Sequence, residues 1–105
     1  MPEKKKDITQ LDNQIAELVG KHIKRNRERY EKVAQKLRTE LEKDTRRYAK
    51  LLADGKIDTS DFDMLVKGRW GQLKIELLAE TSISKSKFDG IAADVLNLTV
   101  STVLG

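Results

Sequence analysis

Apolar residues in the first half of the chain recur at intervals of three and four: Ile8, Leu11, Ile15, Val19 and Ile23, then Tyr30, Val33, Leu37 and Leu41, then Tyr48 and Leu51. Such spacing keeps one face of an α-helix apolar. It predicts a single helix from about Ile8 to Ala53, roughly 70 Å long at 1.5 Å per residue. Two positions in the series, Asn26 and Asp44, are polar where the period calls for an apolar side chain. No proline interrupts the run, and the intervening Glu, Lys, Arg, Gln and Ala are strong helix formers. Glu17/Lys21, Glu28/Lys32 and Glu42/Arg46 place an acid four residues before a cation, the favoured orientation.

Asp54-Gly55 predicts the stop, with glycine just past the last helical turn. Thr59 or Ser60 can cap a second helix, with Asp61 and Asp63 in its first turn. Its apolar face is Phe62, Leu65/Val66, Trp70, Leu73 and Leu77, ending near Glu80. Thr81-Ser82-Ile83-Ser84-Lys85-Ser86 weakens helix and offers new caps. Beyond it helical spacing returns at Phe88, Ile91, Val95 and Leu98. The expected fold is therefore all-α: a long antiparallel hairpin of a helix over about 8–53 and a return over about 60–104, continuous or broken near 81–86. A single helical domain over 1–105 is expected, with 1–7 as a flexible basic N-terminus.

Composition makes that hairpin short of core. Charged residues form 36% of the 105 and apolar ones 38%, against a usual charged share of about a quarter. A small domain also hides a smaller fraction of its surface. Completion by oligomerisation into a helical bundle, with coiled-coil-like packing, is the expected remedy. There is no cysteine, so neither a disulfide framework nor a thiolate metal site can form, which suits a reducing, cytoplasmic setting. Met-Pro-Glu-Lys-Lys-Lys is followed by no apolar stretch of the kind a secretory signal needs.

Little in the sequence can carry chemistry. Asp54-Gly55-Lys56-Ile57-Asp58 resembles half of a calcium loop, but alignment on Gly55 puts Lys50 and Leu52 at the first two ligand positions and Asp61 where a bidentate Glu belongs. The only histidine, His22, has Glu17 five residues away, off the shared-face spacing of a helical metal site. Asp58, Asp61, Asp63, Glu76 and Glu80 could pair, yet a slender hairpin offers no pocket to shift a carboxyl pKa. No catalytic residue, metal ligand or cofactor site is expected.

The net charge of +4 is uneven: residues 1–53 hold 15 Lys/Arg against 9 Asp/Glu, and residues 54–105 hold 6 against 8. The most basic stretch contains Lys21, Lys24, Arg25, Arg27 and Arg29, continued by Lys32 and Lys36. Phosphates attract such a row, although no recognition motif or aromatic platform accompanies it. Gly68-Arg69-Trp70-Gly71 is unusual inside a helix, where each glycine costs about 1 kcal/mol relative to Ala. Close approach of another helix, or room for Trp70, would explain it.

The final segment draws most attention. Ile91, Val95 and Leu98 line one face, Ala92, Leu96, Val100 and Val103 another, and no polar tail follows. One neighbouring helix covers one face, and the segment is too short and polar to cross a bilayer. The expected function is a non-enzymatic structural or interaction protein, a self-associating hairpin acting as scaffold or adaptor, with a homodimer favoured and a protein partner also open. Phe88, Ile91, Val95, Leu96, Val100, Val103 and Trp70 would form the interface. The alternatives are a basic helical nucleic-acid binder using Lys21, Lys24, Arg25, Arg27, Arg29, Lys32 and Lys36, and peripheral membrane association through the apolar C-terminus.

Overall fold

The computed structural model describes residues 13–104, and these form four helices with no strand among them. Helix α1 occupies 13–22, α2 Arg27–Ala53, α3 Thr59–Glu80 and α4 Lys85–Leu104. The all-α expectation holds. The expected start at Ile8, with Leu11, and the basic segment 1–7 lie outside the described residues.

One boundary differs from expectation. The long helix is interrupted at Ile23–Asn26, between α1 and α2. Ile23 donates the last backbone bond of α1, to Val19 at 2.9 Å, and Asn26 then adopts φ 59°, ψ 31°. Asn is among the few non-glycine residues that enter this left-handed region, and Asn26 is one of the two polar gaps in the stripe. Past the break the chain turns back. The Arg27 guanidinium lies 3.4 Å from the carbonyl of Ala16, which a continuous helix would hold about 16 Å further down the axis. The longest dimension of the molecule is accordingly 45 Å, close to the length of α2 alone.

The second gap, Asp44, turns toward α3, where it is largely buried and binds Arg69 at 2.6 Å, while Thr45 fills the core position beside it. At the α2–α3 turn Gly55 takes φ 74°, with Lys56 N–H bound to the Leu51 carbonyl and Gly55 N–H to that of Leu52. This is the glycine-ended helix stop that closes off orphan carbonyls. Asp58 then caps α3: its carboxylate accepts from Asp61 N–H at 2.8 Å, and Asp61 accepts in return from Asp58 N–H. The half calcium loop is thus a stop followed by a cap. Residues 81–84 break the return helix, as one of the two sequence readings has it.

Helix α2 is the central element. It lays Tyr30, Val33, Ala34, Leu37 and Leu41 against α3 and α4, which contribute Phe62, Val66, Leu73 and Leu77, and Phe88, Ile91, Ala92 and Val95. Lys36–Glu80 at 3.2 Å and Asp44–Arg69 run α3 antiparallel to α2. Tyr30 Oη accepts from Ser84 N–H at 3.2 Å, so α4 starts at the same end as α2. Ile15, Leu18 and Val19 of α1, with Ile23 just past its end, close the core. Where α1 meets α4, the His22 imidazole lies against Gly90, and its Nε2 is 2.9 Å from Asp94 Oδ2. A Cβ at Gly90 would sit 3.1 Å from the ring, so a larger residue there would push the imidazole back by a few tenths of an ångström.

Candidate interaction surfaces

Helix α4 is apolar on two sides, and the fold covers most of both. Phe88, Ile91, Ala92 and Val95 are fully buried, enclosed by α2, by α3 and by the returning α1. Of the residues expected to form an interface, Phe88, Ile91 and Val95 therefore belong to the chain's own core. Trp70 is a clasp between helices: its indole N–H donates to the Ala92 carbonyl at 2.9 Å, and the Lys74 ammonium stands 4.3 Å above its ring. Lys74 also pairs with Asp89 at 3.3 Å. A hydrogen bond from Lys85 and the nearby Lys74 hold the Asp89 carboxyl below its usual range, although partial burial opposes the shift. On the far side of α3, the hydrogen bond from Arg69 to Asp44 raises the guanidinium pKa further.

Leu96, Val100 and Val103 are half-buried. Leu96 and Val100, with Phe62, Val66 and Leu104, floor an open groove of ≈ 330 Å³ where the start of α3 diverges from the end of α4. Asp63, Lys67, Asn97 and Ser101 rim it.

The uncovered apolar surface lies on α3 instead. Phe62, Val66, Leu73 and Leu77 point into the core, so the opposite side carries Met64, Gly68, Gly71 and Ile75. Met64 and Ile75 are each 68% exposed and Leu65 39%. A Cβ placed on Gly68 or Gly71 would meet nothing within 4 Å. The glycines therefore do not admit another helix of the described chain, nor do they make room for Trp70, which turns toward α4. Along about 22 Å of helix, from Met64 to Ala79, this side carries no charge along its centre and is edged by Lys67 on one flank and Gln72 on the other. In a chain whose residues are 36% charged, that strip is the anomaly. The 4-3-4 spacing is readable in the sequence, yet Met64 and Ile75 stand outside the stripe that marks the core and so attract no notice.

No family model, curated protein or solved structure matches this chain. What it does rests on its own surfaces.

The seven basic residues of the candidate nucleic-acid row are all exposed, but not all are free. Arg27 is used on Ala16 and Glu31, and Lys36 on Glu80. Lys21, Lys24, Arg25, Arg29 and Lys32 have no partner among the described residues. The break at Asn26 gathers them at one end, around an open depression of ≈ 430 Å³ lined by Asn26, Glu28, Arg29 and Lys32. Among the described residues no group of His, Cys, Asp or Glu is placed to hold a metal ion, and no helix is long and apolar enough to cross a membrane.

Proposed function

We propose that the chain is a non-enzymatic helical scaffold that self-associates, and that the contact is the outer side of α3 against α3 of a second copy. The observation that carries this is the exposed, uncharged strip Met64–Gly68–Gly71–Ile75. Contiguous exposed apolar surface marks interaction sites, and glycines at the centre of such a strip let two helix backbones approach closely.

The occupant follows from symmetry and charge. The 4-3-4 spacing reads the same in both directions, so a two-fold axis perpendicular to α3 sets Met64 against the second copy's Ile75, and Gly68 against its Gly71. That is a closed, isologous contact of large on large and small on small. An antiparallel arrangement also separates the acidic starts of the two α3 helices, at Asp58, Asp61 and Asp63, which a parallel one would bring together.

Light scattering coupled to size exclusion tests this. At about 100 µM the wild-type chain should run at twice its 12.0 kDa mass, with thermal stability that rises with concentration. Met64→Lys/Ile75→Lys should give a folded monomer of unchanged helicity. Gly68→Ala separates pairing from packing within the chain. In a monomer it should stabilise α3 by up to about 1 kcal/mol, whereas in the dimer it should weaken association. A wild-type monomer at that concentration sinks the proposal.

A further inference from the structure

The basic end of the molecule is a second surface, unrelated to the α3 strip. Lys24 and Arg25 lie on the connector, Lys21 on the last turn of α1, and Arg29 and Lys32 on the first turns of α2. All five are exposed and unpaired among the described residues. The Tyr30–Ser84 contact brings the start of α4 to the same end, adding the exposed Lys87. The side chain of Asn26 does not cap α2, so the first N–H groups of that helix add partial positive charge. Glu28 is the acid that lines the depression, and it leaves a clear surplus of cations.

We infer that this end binds the phosphate backbone of double-stranded nucleic acid without reading its sequence. The charge calls for a polyanion, and the surroundings select which one. The large exposed apolar residues of the described chain, Met64, Leu65, Ile75 and Leu104, lie on α3 and at the far tip of α4. Tyr30 and Ile23 are buried. Among the described residues nothing apolar is therefore offered here to lipid chains or to a protein hot spot, and no aromatic ring is available to stack on an unpaired base. Cations alone, on a rigid helix end and its connector, suit a regular row of phosphates. Such contacts position a protein on a duplex and carry no base information. Arg27 and Lys36, which the sequence places in the same row, are already engaged and contribute little.

Fluorescence anisotropy with a labelled, mixed-sequence duplex tests the inference. With about four phosphates neutralised, affinity should fall on the order of 100-fold between 50 and 200 mM salt, on a linear log–log plot. Arg25→Gln/Arg29→Gln/Lys32→Gln should flatten the slope by about 2.7, with circular dichroism unchanged. Lys43→Gln/Lys50→Gln/Lys56→Gln, equal in charge but away from this end, should leave it nearly unchanged. A second duplex of unrelated sequence should bind equally. The inference is overturned by no binding at 50 mM salt, by equal losses in the two triple variants, or by tighter binding to a poly-glutamate peptide or to anionic vesicles. Because Met64→Lys/Ile75→Lys leaves this end intact, failure of self-association and failure of duplex binding are read separately.

Discussion

Helices α3 and α4 are of similar length, and both carry apolar residues on more than one side, yet only α4 is covered. Phe88, Ile91, Ala92 and Val95 are sealed by α1, α2 and α3, while Met64 and Ile75 stand in solvent. Apolar content does not account for the difference, since α4 is the richer helix. The cause is where the chain reverses. Asn26 sends α1 back against α4 at Gly90 and Asp94, and no corresponding segment of the described chain reaches the outside of α3. A helix is completed by whichever element its neighbours' turns bring to it.

The sharpest way to break this comparison is to truncate one residue on each helix. Phe88→Ala should cost about 3–5 kcal/mol, as for other large core truncations. Ile75→Ala should stay within about 0.5 kcal/mol when measured at concentrations where the chain is monomeric. Chemical denaturation of both variants decides it, and comparable losses would mean that the outer side of α3 is covered after all. Next in size is the hinge. Asn26→Ala forces a Cβ into left-handed backbone without the local hydrogen bonding of Asn and should cost about 1–2 kcal/mol, whereas Asn26→Gly should cost far less. If the two behave alike in thermal melts, the return of α1 does not depend on that conformation.

The smallest effect concerns the α3–α4 side. Asp89 is held below its usual range, so its contribution is complete above the unfolded carboxylate value near pH 4 and is lost as pH falls through its lower folded value. Asp89 is partly exposed, so the loss should be modest. Wild type should lose more stability than Asp89→Asn between about pH 5 and pH 2. Parallel acid titrations would remove Asp89 from the account.

Much of the fold was legible in the residues because local rules agreed with the tertiary outcome. Tyr30, Val33, Leu37 and Leu41 define the buried side of α2, Gly55 marks its end, and the serine-rich 81–86 stretch marks the second break. The break at Asn26 was visible only as a missing apolar residue. A single Asn in a strongly helical stretch does not announce a reversal, and the stabilising return contact with α4 lies far along the chain. That Phe88, Ile91 and Val95 are spent on the chain's own core was hidden for the same reason. Without the path of α1, the two apolar sides of α4 look uncovered, and Met64 and Ile75 look like scattered surface residues. Burial of Phe88, Ile91 and Val95 is a tertiary fact that no local window contains.

The contact between His22 and Asp94 joins positions 72 residues apart. The α2–α3 hairpin, by contrast, closes through a five-residue turn at 54–58. Loop closure becomes more costly in chain entropy as the intervening segment lengthens, and contacts between distant positions slow the search for the native state. The hairpin is thus the kinetically accessible half of the molecule, and the contact of α1 with α4 has to wait for the last helix. By trading a continuous helix for that distant contact, the left-handed residue at position 26 ties the first segment of the described chain to the last.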